Sequence, residues 1–384
     1  MKPFPDAFPQ LLADSVGPAR AVVVLRALGG EASVSVRLNP AKLDRCPFPD
    51  AVPVPWSPHA FLLKERPVFT LDPLFHAGAY YVQDSSAMYA GHVFRRVSGF
   101  LQEGAAVLDL CAAPGGKTTD LAASLRERLG DRFSLLANEV VPSRAGILRS
   151  NVESWGDPCV GTLSRDPSAF GDTPLFDLIL ADVPCSGEGM FRKDPRAAEE
   201  WSLRTVDFCA ARARRILADI WPCLKAGGVL LYATCTFNQV ENDDTVAWAA
   251  TELGADILPP EAEAPVLATL HGALLLPGFV PGEGQYVAAL RKKGDHEAGR
   301  RADVFSLFRA RRPEAPPAGL PRWDVDRETA LRYLHGDALQ LAPEAPAGPL
   351  LIGYRGLVLG PAKNLGKRCN NLYPKHKRIR MDVQ

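Results

Sequence analysis

Cys185, in Asp182-Val183-Pro184-Cys185-Ser186-Gly187, and Cys235, in Tyr232-Ala233-Thr234-Cys235-Thr236, each follow an apolar run, residues 176–181 and 229–233. Such runs read as strands of a parallel sheet buried on both faces, so both thiols are expected at strand ends. Open α/β sheets hold their ligands there. A thiol at that place is a nucleophile once ionised, whereas elsewhere Cys is a small buried hydrophobe. With an ordinary pKa of ~8.5 it is only a few per cent thiolate at neutral pH, so a working site must lower that value or remove the proton on demand. Taken alone, Cys235 reads as a buried apolar thiol; Cys185 on an adjoining strand and Asp182 beside it turn the reading toward chemistry. Cys46, Cys159, Cys209, Cys223 and Cys369 have no chemical context and read as structural.

The first strand of the same sheet, residues 106–110, runs into Cys111-Ala112-Ala113-Pro114-Gly115-Gly116-Lys117-Thr118-Thr119. Small residues there let the backbone approach a ligand, and the following helix offers free N–H groups. The loop is neither a dinucleotide fingerprint nor a phosphate loop: Cys111 stands where a phosphate loop needs its first glycine, and a tight structural turn is the alternative. Cys111 itself matters more by size than by reactivity. Asp109 lies on the first strand, Glu139 ends the second, Asp166 follows the third and Asp182 ends the fourth. Acids at successive strand ends suit a ligand with a ribose and a cationic part and repel a polyphosphate. Any one of them alone reads equally well as a helix cap.

Four regions position these residues. Residues 1–98 form a small α+β module, with a helix expected over 9–28, a strand over 32–38 and little regular structure in the proline-rich 46–58. In 99–293, strands at 106–110, 133–138, 159–163, 176–181 and 229–233 alternate with helices starting near Lys117, Pro142, Ser202 and Gln239. That pattern predicts an α/β fold with a doubly wound, Rossmann-like parallel sheet. Residues 273–276 and 285–291, separated by two Pro-Gly pairs, read as a closing antiparallel hairpin. The hydrophilic 294–320 reads as a linker, and 321–384 as a small basic α+β domain with a helix at 327–334 and strands at 350–354 and 356–359.

Hydrophobic content of 47% without a long apolar run excludes a membrane span. Eight cysteines without Cys-x-x-Cys or Cys/His ligand spacing exclude a structural zinc site or disulfide framework, and the first residues lack the features of a secretory signal. Reduced thiols in the cytoplasm, with no metal, are the expectation. Net charge is +0, so affinity for a polyanion must be local. Lys363, Lys367, Arg368, Lys375, Lys377, Arg378 and Arg380, interleaved with Asn370, Asn371, Tyr373 and His376, supply a basic tail suited to phosphate and base contacts, or a solvated charged face.

The runs 109–119, 138–139, 182–190 and 232–237, in this order, resemble the motifs of the Sun-type RNA cytosine-5 methyltransferases, which use S-adenosylmethionine. Val36-Arg37-Leu38-Asn39-Pro40-Ala41-Lys42, Tyr80-Tyr81-Val82-Gln83-Asp84-Ser85-Ser86 and Gly282-Glu283-Gly284-Gln285-Tyr286 extend the likeness over nearly the whole chain. The tail, through Lys367-Arg368-Cys369-Asn370-Asn371-Leu372-Tyr373-Pro374, looks like the C-terminal domain of the bacterial small-subunit ribosomal RNA branch of that family.

The resemblance implies a class I methyltransferase sheet holding S-adenosylmethionine through Cys111, Ala112, Ala113, Pro114, Gly115, Gly116, Lys117, Glu139, Asp166 and Asp182. It implies Cys235 as the nucleophile that adds to C6 of cytosine, making C5 enamine-like, and Cys185 as the group that removes the C5 proton or aids release. Asp182 is expected at N3 of the base, with Lys117 reaching the same base or else lying on the cofactor side. The implied substrate is 16S ribosomal RNA near the decoding region, its target base extruded at a cost of a few kcal/mol. The N-terminal module and the basic tail are the expected sources of the offsetting RNA contacts. Transfer RNA is the competing substrate, and a catalytically silent ribosome assembly factor the competing class. A DNA enzyme is disfavoured by Thr234-Cys235-Thr236.

Overall fold

The computed structural model describes residues 4–296, 303–314, 317 and 319–382; residues 1–3 and part of the expected linker lie outside these. Two helices, α1 (Phe8–Val16) and α2 (Pro18–Leu28), replace the single helix expected over 9–28. Pro18 has no N–H to return to Asp14, and Gly17 at φ 86° turns the chain while its N–H closes on Ala13 O. Both helices bury Phe8, Leu12 and Val24 in the core of the large sheet. Strands β1 (Val34–Leu38), β2 (Val52–Pro53), β3 (Ala60–Leu63) and β4 (Tyr80–Val82) form an antiparallel sheet in the order β2-β3-β1-β4. The proline-rich stretch contributes only β2, at the sheet edge, where proline is tolerated. Helices α3 (Pro73–His76) and α4 (Tyr89–Val97) flank β4 in sequence.

The large sheet takes β5 (Ala105–Asp109), α5 (Gly116–Leu129), β6 (Phe133–Asn138), α6 (Pro142–Trp155), β7 (Val160–Leu163), β8 (Phe176–Asp182), α7 (Pro195–Glu200), α8 (Leu203–Ile220) and β9 (Leu224–Thr234). After α9 (Asp243–Glu252) come β10 (Asp256–Ile257), β11 (Leu267–Ala268), β12 (Ala273–Leu275) and β13 (Gln285–Arg291). The order is β11-β12-β13-β9-β8-β5-β6-β7, with β10 on one end of β13. Strands β5 to β9 are parallel, and β13 runs antiparallel between β9 and β12. The expected hairpin is thus present, and β10 and β11 extend it. Separate apolar cores cover the two faces, which is why β8 reads Phe-Asp-Leu-Ile-Leu-Ala-Asp with almost no alternation. Strand order reverses between β5 and β8, opening a crevice at their carboxyl ends.

Part of the expected linker is packed structure. Helix α10 (Val304–Phe308) buries Val304 and Phe308, and the Phe308 ring lies 5.1 Å from Phe170 and 6.2 Å from Phe176. Thr162 and Arg311 exchange backbone hydrogen bonds of 2.7 and 2.9 Å, so this segment closes the exposed edge of β7. The polar composition hid it, because only two apolar side chains are needed to seat one helical turn.

Beyond it, β14 (Arg322–Asp324), α11 (Arg327–His335), β15 (Gly348–Tyr354), β16 (Leu357–Asn364) and β17 (Cys369–Asn371) build a sheet in the order β14-β15-β16-β17. Its core is continuous with that of the β1–β4 sheet: Leu334, Ile352 and Tyr373 belong to one apolar cluster with Val36, Leu74 and Tyr80. The β1–β4 sheet and the C-terminal unit therefore meet in space. Among the described residues no helix is long and apolar enough to cross a membrane.

Phe308→Ala is expected to destabilise the protein by about 3 kcal/mol in urea unfolding, the cost of emptying a buried aromatic site. A loss below ~0.5 kcal/mol, the scale of a surface change, would mean the segment does not pack on the sheet in solution.

Candidate active site

Strands β8 and β9 pair in register through Asp182 and Ala233, so the loops that follow leave the sheet side by side. Val183 N–H donates to Ala233 O at 3.1 Å and Gly189 N–H to Cys235 O at 2.9 Å. The two thiols consequently meet: Cys185 Sγ and Cys235 Sγ are 3.3 Å apart, both half-buried and both free. The Cys185 thiol is held well above its ordinary pKa, first by its hydrogen bond to Cys235 and then by burial. Either sulfur can be the donor of this contact, and the raised pKa keeps Cys185 a thiol.

Lys117, in the first turn of α5, crosses the crevice to Asp182, Nζ to Oδ2 2.9 Å. Burial pulls its pKa down, but Asp182, then Cys235 and Asp109, more than offset this and the ammonium ends above its usual value. Lys117 thus sits on the thiol side of the crevice, not in solvent.

The loop from Leu110 to Gly115 is pinned by its backbone: Leu110 N–H donates to Leu180 O and Ala112 N–H to Asn138 O, at 2.8 and 2.7 Å. Gly115 takes φ 112°, and a Cβ on Gly116 would press on Gln83 and Tyr81 at 3.2 and 3.3 Å. Arg37, fully buried, donates to Gly116 O at 3.0 Å, which ties the N-terminal sheet to the start of α5. Burial and the charges of Asp182, Asp109 and Glu139 push the Cys111 thiol far up, so its contribution is size. Asp109 is buried, receives Thr118 Oγ1 at 2.6 Å and has its pKa pushed up to about 7, chiefly by burial. Its other oxygen has no hydrogen bond among the described residues. Glu139 accepts Val141 N–H at 2.9 Å, while among the described residues its second oxygen makes no hydrogen bond but is ion-paired with Arg144 at 3.4 Å. Orphaned buried carboxylate oxygens beside a glycine cradle fit a bound ligand with ribose hydroxyls and a cationic group. Asp166 caps the turn at Ser168, which holds its pKa low, and stands 3.6 Å from Arg215, while Asn138 ties the preceding Arg165 backbone to Leu110 O at the start of the loop.

Sequence reasoning did not single out the residues that fix the two cysteine loops. Glu188 accepts Phe237 N–H at 2.7 Å, Asn238 N–H at 3.1 Å, Asn238 Nδ2 at 2.8 Å and Trp201 Nε1 at 3.2 Å. Glu241 accepts Ser186 N–H at 2.9 Å, Asn238 Nδ2 at 2.8 Å and the Ser186 hydroxyl. The Asn238 amide bridges both carboxylates, and all three side chains are buried. Their one sequence signal is proximity, Glu188 just after Cys185 and Asn238 and Glu241 just after Cys235. Burial raises the pKa of both acids, Glu241 to about 7.

A carboxyl whose folded pKa exceeds its unfolded ~4.3 stabilises the fold fully below that value and loses the contribution as pH rises through the folded one. Between pH 4.5 and 7.5 the wild type should therefore lose on the order of 2–3 kcal/mol that Glu241→Gln does not lose, a constant offset aside. Urea midpoints across that range read it, and parallel curves for the two proteins would contradict the assignment.

Against this geometry stand three matched family descriptions. Residues 100–291 match 16S rRNA methyltransferase RsmB/F, residues 4–85 the N-terminal domain of 16S rRNA methyltransferase RsmF, and residues 321–379 the methyltransferase RsmF PUA domain. The chain is 35% identical over 289 residues to ribosomal RNA small subunit methyltransferase F of Cronobacter sakazakii, covering 68% of this chain and 58% of that one. It is 34% identical over 281 residues to the protein of the same name from Salmonella agona, covering 67% and 57%. The match thus spans under two thirds of the length of these curated relatives. Among solved structures, a methyltransferase homologue from Pyrococcus horikoshii superposes with TM-score 0.63 at 26% identity, covering 75% of this chain and 95% of that one. NSun6 from Pyrococcus horikoshii superposes with the same TM-score, 0.63, at 18% identity, covering 76% and 99%, which shows the fold alone. The chain belongs to the 16S rRNA methyltransferase RsmB/F family.

Proposed function

We propose that the protein methylates C5 of cytosine in 16S ribosomal RNA near the decoding region, through a covalent bond between Cys235 and C6 of the base. The observation that carries this is the thiol pair, Cys185 Sγ 3.3 Å from Cys235 Sγ at the ends of adjoining strands, with the Lys117–Asp182 ion pair in the same crevice. Cys235, in Thr234-Cys235-Thr236, is the nucleophile by the family resemblance.

S-adenosylmethionine, when bound, supplies an electrophilic methyl group. The loop Cys111-Ala112-Ala113-Pro114-Gly115-Gly116 would cradle it, with Glu139 and Asp109 offering the open carboxylate oxygens. Asp166 belongs to the same cofactor set by its position after β7.

The Cys235 thiolate adds to C6, and the electrons displaced from the C5–C6 double bond make C5 nucleophilic. Asp182, with Lys117 on its other side, meets N3 and the edge of the base as negative charge develops, a contact made most strongly in the transition state. After C5 has gained its methyl group, Cys185, its own proton given to solvent, takes the proton on C5; the electrons of the C5–H bond restore the C5–C6 double bond and the S–C6 bond breaks, returning Cys235 as a thiolate. Acid–base help of this kind is worth ~10²–10⁴-fold.

The 16S substrate follows the names of the relatives and the matched PUA domain. A cytoplasmic setting follows from that substrate. Transfer RNA is the second reading, on the shared chemistry of the thiol pair.

Methyl transfer from labelled S-adenosylmethionine should mark small-subunit RNA from cells lacking the enzyme, at decoding-region cytosines mapped by bisulfite sequencing. Label in transfer RNA alone would reject the substrate; no label in any pool would favour a silent assembly factor. Cys235→Ala should abolish both transfer and the protein–RNA adduct, while Cys185→Ala should accumulate adduct and turn over at least ~10²-fold more slowly. The opposite pattern would exchange the two roles.

A further inference from the structure

A cavity of about 260 Å³ lies away from the thiols, where all three folded parts of the chain meet. Phe75 and Tyr81 reach it from the N-terminal module, Asn151 and Ser154 from α6, and Tyr373 and His376 from the C-terminal tail. We propose that this cavity binds one unstacked nucleotide of the substrate RNA, outside the reacting cytosine. The proposal rests on the RNA methyltransferase reading above and adds to it a second nucleotide site.

The lining carries the chemistry. Aromatic side chains supply stacking surface, which every nucleobase can use. The volume falls below the roughly 300–1,000 Å³ usual for sites of drug-sized ligands, and so suits a single base. Asn151 gives its amide N–H to Pro114 O at 2.8 Å, and among the described residues its carbonyl oxygen accepts nothing, leaving an acceptor for a base edge. His376 is exposed on the turn Lys375–Lys377, beside exposed Lys375, and Arg380 is exposed just beyond. Lys377 spends part of its charge on Glu153, 2.8 Å away. The remaining cations complement the phosphates on either side of a bound base.

Position also favours RNA over a free metabolite. The cavity shares its wall with the cofactor loop: Asn151 braces Pro114, and Tyr81 packs where a Cβ on Gly116 would sit. A strand threaded through the thiol crevice has this site behind the same loop. The shared core of the two outer units fixes the opposing walls, so the cavity is formed before RNA arrives.

The test uses the full-length protein with small subunits carrying 5-iodouridine-substituted 16S RNA, photo-cross-linked and mapped by mass spectrometry. Cross-links on peptides bearing Tyr81, Tyr373 or His376 are expected. Ser154→Trp, which fills the cavity, and His376→Ala, an exposed change with little risk to folding, should each raise KM for subunits about tenfold, the scale of one base–aromatic stack. Turnover at saturating RNA should stay within twofold. Should Ser154→Trp fail to fold by circular dichroism, His376→Ala and the cross-links still decide. Cross-links confined to other surfaces, with wild-type KM in the folded variants, would reduce the cavity to a packing gap and overturn the proposal. Cross-linking needs no methyl transfer, so its result is separable from failure of the proposed reaction.

Discussion

The Asn238 amide, shared between the carboxylates of Glu188 and Glu241, is the contact on which the thiol geometry depends. Parallel strands β8 and β9 bring two loops to the same edge of the sheet, but strand pairing ends at Asp182 and Ala233. Beyond that point only side-chain and loop hydrogen bonds can set the distance between Cys185 and Cys235. Two buried acids with raised pKa values are costly to keep, and they are kept where their acceptor capacity is filled by the loops that need fixing. A sulfur pair at 3.3 Å tolerates little slack, since a hydrogen bond between thiols weakens quickly with distance.

The lattice also ties the reacting loops to the rest of the fold. Trp201, which donates to Glu188, packs against Phe8 of α1 at 5.6 Å. On the other side Arg37 reaches from β1 to Gly116 at the cofactor loop. The N-terminal residues therefore brace the loops that carry the thiols as well as forming a neighbouring module. Their sheet, in turn, shares its core with the C-terminal unit.

Much of this was legible in the sequence where one signal dominated. Continuous apolar runs marked β5 to β9, since burial on both faces leaves no alternation to confuse with another element. The cysteine loops and the acids followed from where those runs stop. The helix over 9–28 failed at Gly17-Pro18, a breaker visible in the sequence. Helix α10 was hidden because a single turn seated by Val304 and Phe308 carries no periodic signal. The Glu188–Asn238–Glu241 lattice was illegible for a different reason: its members are polar, and only three-dimensional proximity shows that they are buried together. The joining of the β1–β4 sheet to the C-terminal unit is a long-range contact that no local pattern encodes.

The central claim is that Cys235, and not Cys185, bonds to the base. Incubation of the protein and S-adenosylmethionine with small subunits whose 16S RNA contains 5-fluorocytosine, which has no C5 proton to lose, should trap the intermediate. Protease digestion and mass spectrometry should then find the nucleotide on the peptide containing Cys235. Finding it on the peptide containing Cys185 would contradict the account.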